Sequence, residues 1–363
     1  MSDSALSRAG CGDRQGIINH DKNKPARAGE KGCCVMNKLP LSLIIDDPAP
    51  RVFVYYEHAV KRETADGRPL LSEVPNSFLR DFCEVVHRRG LRGKFSVVPM
   101  PGGRGDIVHG IPGFPKGEVD EWLDIVREQV ARSFSICPEM LTHAKTVDLE
   151  NGGFLPMNED KWAATQTAET LTPYIARAFS LLREAGLPAT GVTSPWAFGI
   201  EVEPEYVKAI SAAYEQVFGG RECWYFLRGL RNVPNARPWV ALNENGRAVV
   251  SVPATTRDHI WQTMDTTDTS PEYISSVADE IITADGSTGE MIEVMKNGGW
   301  PILIAHWQSL FSNGLGTGLK VLDEAAGRIE KCLSDRVQWM SAEEIMRLVL
   351  EDPARYPMPE FKK

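Results

Sequence analysis

The sequence predicts an α/β fold: a single parallel β/α barrel, distorted or incomplete, of seven or eight strands, with an inserted β-hairpin. Three observations carry that expectation. From residue 41 onward, strand-like apolar runs alternate with segments of helical period, the pattern of repeated β-α units around a parallel sheet. Several of those runs deliver polar, chemically able side chains at their C-terminal ends, which is where a β/α barrel builds an active site. No Gly-x-Gly-x-x-Gly follows the first run, and the polar strand ends are spread along the chain. Both points argue against a doubly wound sheet with one switch point.

The first strand is Leu41-Ser42-Leu43-Ile44-Ile45, closed by Asp46-Asp47. Two adjacent carboxylates at a buried strand end repel unless a cation or proton sits between them. A long insertion, Pro48 to Ser72, contains Tyr55-Tyr56-Glu57-His58. Phe78, Phe82, Val85 and Val86 recur at helical spacing over 75–89, and Gly90 is the C-terminal stop. Strand two is Lys94-Phe95-Ser96-Val97-Val98. The Gly- and Pro-rich stretch 99–117 behind it is too long for a simple connection and is a candidate binding loop. Val119, Trp122, Val126 and Val130 mark the second helix, and Met140-Leu141-Thr142 runs as strand three into His143.

Leu171, Ile175, Phe179 and Leu182 mark a third helix, stopped by Gly186. Thr190-Gly191-Val192 is strand four and leads into Thr193-Ser194-Pro195-Trp196; a helix over 203–215 follows. Residues 221–262 change character. Of the short runs 223–227, 239–242 and 248–252, the last two flank Asn243-Glu244-Asn245-Gly246 and read as a hairpin inserted on the barrel. One helix is expected from Pro271 to Lys296. Then come a strand ending at His306, a helix over 315–333, a strand at Val337-Gln338-Trp339 and a last helix from Ser341 to Leu350. Ser341 and Glu344 form a capping box there.

Residues 1–35 have no aromatic residue and no apolar stretch of signal-peptide type, so they are expected to be a disordered leader with Met36 as the functional start. The barrel then occupies 36–352, with the hairpin insertion at about 221–262, and 353–363 form a C-terminal tail. The chain is 42% hydrophobic and 25% charged with a net charge of −9, and no basic cluster stands out, which argues against nucleic acid as a partner. No apolar run approaches the roughly 20 residues of a membrane helix. Seven cysteines (Cys11, Cys33, Cys34, Cys83, Cys137, Cys223, Cys332) without a Cys-x-x-Cys pair argue against a disulfide framework or structural zinc. Free thiols and the missing secretion signal point to a cytoplasmic protein. A homo-oligomer is compatible with this composition.

The residues able to carry chemistry are Asp46, Asp47, His143 and His306, all after apolar runs. Trp196 behind Ser194-Pro195 is a candidate wall for stacking a sugar ring. Trp307 and Gln308, next to His306, and His109, in the glycine-rich loop, are further candidate substrate contacts.

These strand ends, in this order, resemble the motifs of the polysaccharide deacetylase (NodB-homology) superfamily, which belongs to a wider β/α-barrel group of glycoside hydrolases and deacetylases. Asp46-Asp47 resembles the first motif and the His143 strand end the second. Thr193-Ser194-Pro195-Trp196 is similar to the Arg-x-Pro-aromatic third motif. Asp265-Thr266-Thr267-Asp268 is faintly similar to the fourth, and Ile302-Leu303-Ile304-Ala305-His306 to the final Leu-x-His motif. The resemblance spans roughly residues 41–350 and implies a divergent member.

It implies Asp46 as general base, His306 as general acid, and Asp47 and His143 as ligands of a divalent metal, Zn, Mn, Co or Ni. Two positions depart from the family pattern. Val147 stands where the second metal-binding histidine is expected four residues after His143, which leaves Asp148, His58 or His109 as third ligand. Thr193 stands where an arginine would orient the base. The expected function is hydrolysis of an amide or ester on a carbohydrate or related small molecule. The alternatives are a glycoside hydrolase, which would need Glu57, Asp148 or Asp265 as a second carboxylate across the pocket, or a non-catalytic sugar-binding barrel.

Overall fold

The apolar, nearly fully buried segment Leu39–Asp46 forms β1, the centre of the main sheet. The computed structural model describes residues 38–58, 61–231, 233 and 235–359. The chain divides into two units, Met1–Met36 and Asn37–Lys363. The leader expected over 1–35 lies outside the described residues, as does the side chain of His58.

β1 pairs in parallel with β2 (Gly93–Val97) on one edge. Its other edge carries β10 (Ile302–His306), and its N-terminal end also pairs in parallel with the short β11 (Val337–Trp339). β3 (Phe134–Pro138) continues the sheet beside β2. A second sheet runs β6 (Gly191–Thr193), β7 (Glu222–Phe226), β9 (Arg247–Ser251), all parallel, with β8 (Trp239–Glu244) antiparallel on β9. Two isolated parallel bridges, Ile136 with Ala189 and Glu139 with Thr193, join β3 to β6. At the opposite seam the Thr255 N–H donates to the Ile302 carbonyl at 3.0 Å, and the Ile302 N–H donates to Thr255 Oγ1 at 2.8 Å. The parallel strands thus follow one another as a seven-membered ring whose two seams lack continuous ladders, a distorted, incomplete barrel.

The main helices flank the strands. α2 (Asn76–Arg89) buries Phe78, Leu79, Phe82, Val85 and Val86, and the left-handed Gly90 ends it. α3 (Lys116–Glu128), α5 (Ala168–Glu184), α6 (Glu203–Phe218), α7 (Pro271–Ile281) and α10 (Thr317–Leu333) bury apolar faces in the same way. α11 (Ala342–Glu351), capped by Ser341 and Glu344, closes the end of the barrel away from the strand C-termini. Its Ile345, Met346 and Val349 cluster with Ile44, Cys137, Trp224, Val250 and Ile302. Among the described residues no helix is long and apolar enough to cross a membrane.

Four local expectations change. Strand three ends at Pro138, and Met140–His143 is a turning loop in which Met140 and His143 have φ of 33° and 54°. That loop leads into a hairpin the sequence pattern did not show, β4 (Lys145–Val147) and β5 (Phe154–Asn158), followed by α4 (Glu159–Ala163). β9 is a barrel strand between β7 and the β10 seam, so β8 alone is the added strand of the expected hairpin. The helix expected over 271–296 is two, α7 and α8 (Glu290–Lys296). Between them Asp285 accepts from Thr283 and Ser287, and Gly286 turns the chain with φ +69°.

Gly93 marks the tightest backbone approach in the sheet. A Cβ there would fall 1.7 Å from the Leu43 carbonyl oxygen and 2.8 Å from the Leu43 nitrogen, atoms fixed by the β1–β2 ladder. We expect Gly93→Ala to destabilise at the top of the overpacking range, roughly 3 kcal/mol. A melting temperature within about 1 °C of wild type would contradict this.

Candidate active site

Asp46 ends β1, and its register partner on β10 is His306. Both line one cavity of about 280 Å³ at the C-terminal ends of the strands. Lys94 of β2 lies almost wholly inside the barrel, with a side chain 1% exposed. Its ammonium donates to Asp46 Oδ1 and, at 2.7 Å, to Thr193 Oγ1, and sits 4.7 Å from the centre of the Phe226 ring. Burial pushes the Asp46 carboxyl up, the Lys94 charge pulls it back, and Glu139 adds to the rise; the balance lies at about 6. A lysine from β2 therefore holds the carboxylate that an arginine at the position of Thr193 was expected to orient.

Beside this pair lies a second cluster. Asp47 turns left-handed, with φ 69°, and its N–H donates to Glu139 Oε2 at 2.8 Å; Ser96 Oγ donates to the same oxygen at 2.5 Å. Gln308 Nε2 donates to Asp47 Oδ2 at 2.8 Å. His143 Nε2 stands 3.0 Å from Asp47 Oδ1 and 3.4 Å from Glu139 Oε1. The left-handed loop that presents His143 is held from below by Glu159 at the start of α4. Its carboxylate takes the successive N–H groups of Leu141, Thr142 and His143 at 3.2, 2.9 and 2.9 Å, and the Tyr174 hydroxyl at 2.7 Å. Burial lifts Glu159 to about 7 in spite of those donors. Burial would also raise Asp47, but the charge and hydrogen bond of His143 prevail and hold that carboxyl far below the usual range. His143 is raised well above an ordinary imidazole, since Asp47 and Glu139 outweigh its desolvation.

One ligand atom each from Asp47, Glu139 and His143, all buried, lies within 4.8 Å of the others. The outward oxygen of each carboxylate is already occupied, by Gln308 for Asp47 and by Ser96 and the Asp47 N–H for Glu139. That orienting shell leaves two oxygens and one imidazole nitrogen grouped together. Such a donor set fits a divalent ion of the Zn, Mn, Co or Ni kind.

Across the cavity His306 Nδ1 lies 2.6 Å from Asp258 Oδ2, so the Nδ1–H donates to Asp258 and Nε2 is free to face the cavity. Desolvation lowers the His306 pKa, but the hydrogen bond and charge of Asp258, then Asp47 and Asp46, carry it up to about 9. Aromatic rings frame the space. Trp261 meets the His306 ring edge-on at 4.8 Å, Tyr55 meets Trp261 at 5.0 Å, and Trp196 meets the His143 ring at 4.6 Å.

Asp46, Asp47, His143, Trp196 and His306 thus gather at one cavity, while other expected residues lie elsewhere. Asp148 is partly exposed and accepts from the backbone of Glu150 and Asn151 in a tight turn, while the third side chain grouped with Asp47 and His143 is Glu139. Glu139 precedes His143 by four residues, so the spacing sought downstream at Val147 exists upstream. Trp307 does not line the cavity: it is 0% exposed and packs on Phe78, Phe82 and Phe95. Gln308 is buried and serves Asp47. His109 is exposed, pairs with Asp106, and does not line the cavity. Glu57 pairs with Arg104, Asp265 with Lys61, and Asp268 accepts from the Ser270 N–H. Sequence reasoning passed over Lys94, Glu139, Glu159 and Asp258; a lysine inside an otherwise apolar strand was the one conspicuous signal among them.

No family model matches the chain, and no curated protein matches it in sequence. Among solved structures it is similar to a 4-alpha-glucanotransferase from Thermococcus litoralis, with 14% identity and a TM-score of 0.41, over 85% of this chain and 40% of that one. A GH57 branching enzyme from Thermococcus kodakaraensis gives 12% identity and 0.46, over 87% and 71%. A mutant of a CE4 family pseudoenzyme gives 10% and 0.38, over 85% and 68%. The chain spans about two fifths of the length of the glucanotransferase.

Proposed function

We propose that this chain is a hydrolase of the polysaccharide deacetylase type, removing an acyl group held by an amide or ester from a carbohydrate or related small molecule. The observation that carries the proposal is the pairing of Asp46 and His306 on adjacent strand ends, each with its own partner of opposite charge. Lys94 keeps Asp46 able to ionise, and Asp258 keeps His306 protonated.

The steps follow from these residues. Asp46 takes a proton from a water molecule as its oxygen adds to the acyl carbon. As the C–N or C–O bond breaks, His306 Nε2 delivers a proton to the leaving nitrogen or oxygen, giving a carboxylic acid and an amine or alcohol. Asp258 fixes the imidazole tautomer and stabilises the imidazolium. Asp47, Glu139 and His143 would hold a divalent ion, which when bound supplies Lewis-acid polarisation and an acidified water. The cavity volume lies near the lower end of the range of about 300–1,000 Å³ usual for small-ligand sites, which suits a ligand of one or two rings. Trp196, 37% exposed, lines the cavity and offers its ring to such a ligand.

The test is a screen of N-acetylated and O-acetylated sugars and simple glycosides with wild type and Asp46→Asn. Acetate release that falls about 10²–10⁴-fold in Asp46→Asn is expected. Glycosidic cleavage without acetate release would move the chain to the glycoside hydrolases, with Asp258 as the carboxylate facing Asp46. The pH profile should form a plateau. Activity rises as Asp46 ionises near pH 6 and falls as His306 loses its proton near pH 9. Asp258→Asn removes the largest contributions that raise His306 and leaves those of Asp47 and Asp46, so its alkaline limb should move to lower pH. An unmoved alkaline limb would take the acid role away from His306.

A further inference from the structure

The charges around the site are sorted. Four carboxylates, Asp46, Asp47, Glu139 and Asp258, line the inner cavity. Outside it, and sharing Arg231, Asp258, Trp261 and His306 with it, opens a basin of about 560 Å³. The acids of that basin are engaged: Asp258 with His306, and Glu280 with His259 Nδ1 at 2.8 Å. Glu290, next to the basin, takes His259 Nε2 at 2.6 Å and the Arg257 N–H at 2.8 Å. The arginines are less engaged. Arg257 is 62% exposed, with Nε 3.9 Å from the nearest Glu290 oxygen. Arg231 is exposed and makes no ion pair among the described residues. The chain just before it is nonetheless well supported. The Leu230 N–H donates to the Ala254 carbonyl at 2.7 Å, the Ala254 N–H to the Arg228 carbonyl at 3.0 Å, and the Arg228 side chain is ion-paired to the buried Glu203.

We infer that the outer basin is a subsite for an anionic substituent of the substrate, a carboxylate or phosphate, with Arg231 as its main contact and Arg257 as the second. The inference rests on the carbohydrate reading of the cavity and narrows it to acidic sugars. The cations deep in the inner cavity, Lys94, His143 and His306, each face a carboxylate there already, so the neutral acyl group enters it. The anion stays one substituent outward, where a planar guanidinium presents paired donors to either oxyanion. A single partly exposed charge pair of this kind contributes an affinity preference of about tenfold and is screened by salt.

The experiment measures binding, not turnover. Glucose, glucuronate, glucose 6-phosphate and inorganic phosphate are titrated against wild type, Arg231→Gln and Arg257→Gln at low and high ionic strength. Both arginine side chains are solvent-facing, so the variants should fold. The two anionic sugars should bind wild type about tenfold more tightly than glucose, and that preference should vanish in Arg231→Gln, shrink in Arg257→Gln and weaken with salt. Equal binding of glucose and glucuronate overturns the subsite while leaving a sugar site in place. Anion binding that persists unchanged in Arg231→Gln overturns it too, since the anion is then held elsewhere. Phosphate binding lost in Arg231→Gln, with no sugar bound at all, keeps the anion subsite and removes the carbohydrate reading instead.

Discussion

Lys94→Met should lower turnover by about 10²–10⁴-fold at neutral pH, the scale expected when a positioned base is disabled. The side chain is close in length, so the barrel interior stays filled, but Asp46 loses the cation that lowers its pKa. With burial and Glu139 opposed only by the charge of His306, the carboxyl rises further above 6, and at pH 7 less of it is ionised to accept a proton. The acidic limb of the pH profile therefore moves to higher pH, and kcat falls more than KM changes. The loss of stability should be smaller than for a stranded buried charge, because Asp46 escapes that cost by taking up a proton. A packing defect alone would not move the limb. The decisive variant adds Thr193→Arg to Lys94→Met. Thr193 Oγ1 already lies 2.7 Å from the Lys94 ammonium, so a guanidinium grown from β6 starts beside Asp46. Part of the lost turnover should return. Unchanged kcat in Lys94→Met would sink both the role of Lys94 and that of Asp46.

How much of this was legible in the sequence follows from what each residue's signal depends on. Most of the barrel strands were readable because they are short apolar runs, although the apolar pattern puts β3 several residues too late and reads β9 as part of a hairpin insertion. β1 and β10 could be aligned because both end in polar groups. Asp46 and His306 sit opposite each other for that reason. The Met140–His143 stretch misled because its side chains are apolar while its backbone is left-handed. Glu159, sixteen residues further on and brought back by an unforeseen hairpin, takes three of its successive N–H groups and helps to hold it in that form. Trp307 misled in another way. It follows His306 in sequence, but the first residue of a helix can turn inward, and here it fills the core beneath α2. Lys94 and Asp258 act through contacts 48 residues away in the chain, with Asp46 and with His306, and no local period encodes such a partner.

Glu139 carries the second large effect. Glu139→Ala should remove bound divalent metal, because it deletes one of three grouped donors and also frees the Asp47 N–H and Ser96 hydroxyl that it accepts. Asp148→Ala should leave metal content unchanged, since Asp148 is committed to its own turn. Elemental analysis after dialysis separates the two. A metal-dependent rise in melting temperature, present in wild type and Asp148→Ala and absent in Glu139→Ala, gives a second readout that needs no substrate. Glu139→His goes further. It converts a set of two carboxylates and one imidazole into one carboxylate and two imidazoles. Imidazole suits Zn and Ni, and carboxylate suits Mn, so wild type should retain Mn better relative to Zn than Glu139→His does. The selectivity shift is the informative result, because a merely damaged site loses every metal alike. Equal metal content in wild type and Glu139→Ala would take Glu139 out of the donor set; no bound metal in wild type would mean that Asp47, Glu139 and His143 are a closed hydrogen-bonded cluster in which the proton of His143 does the work of a cation.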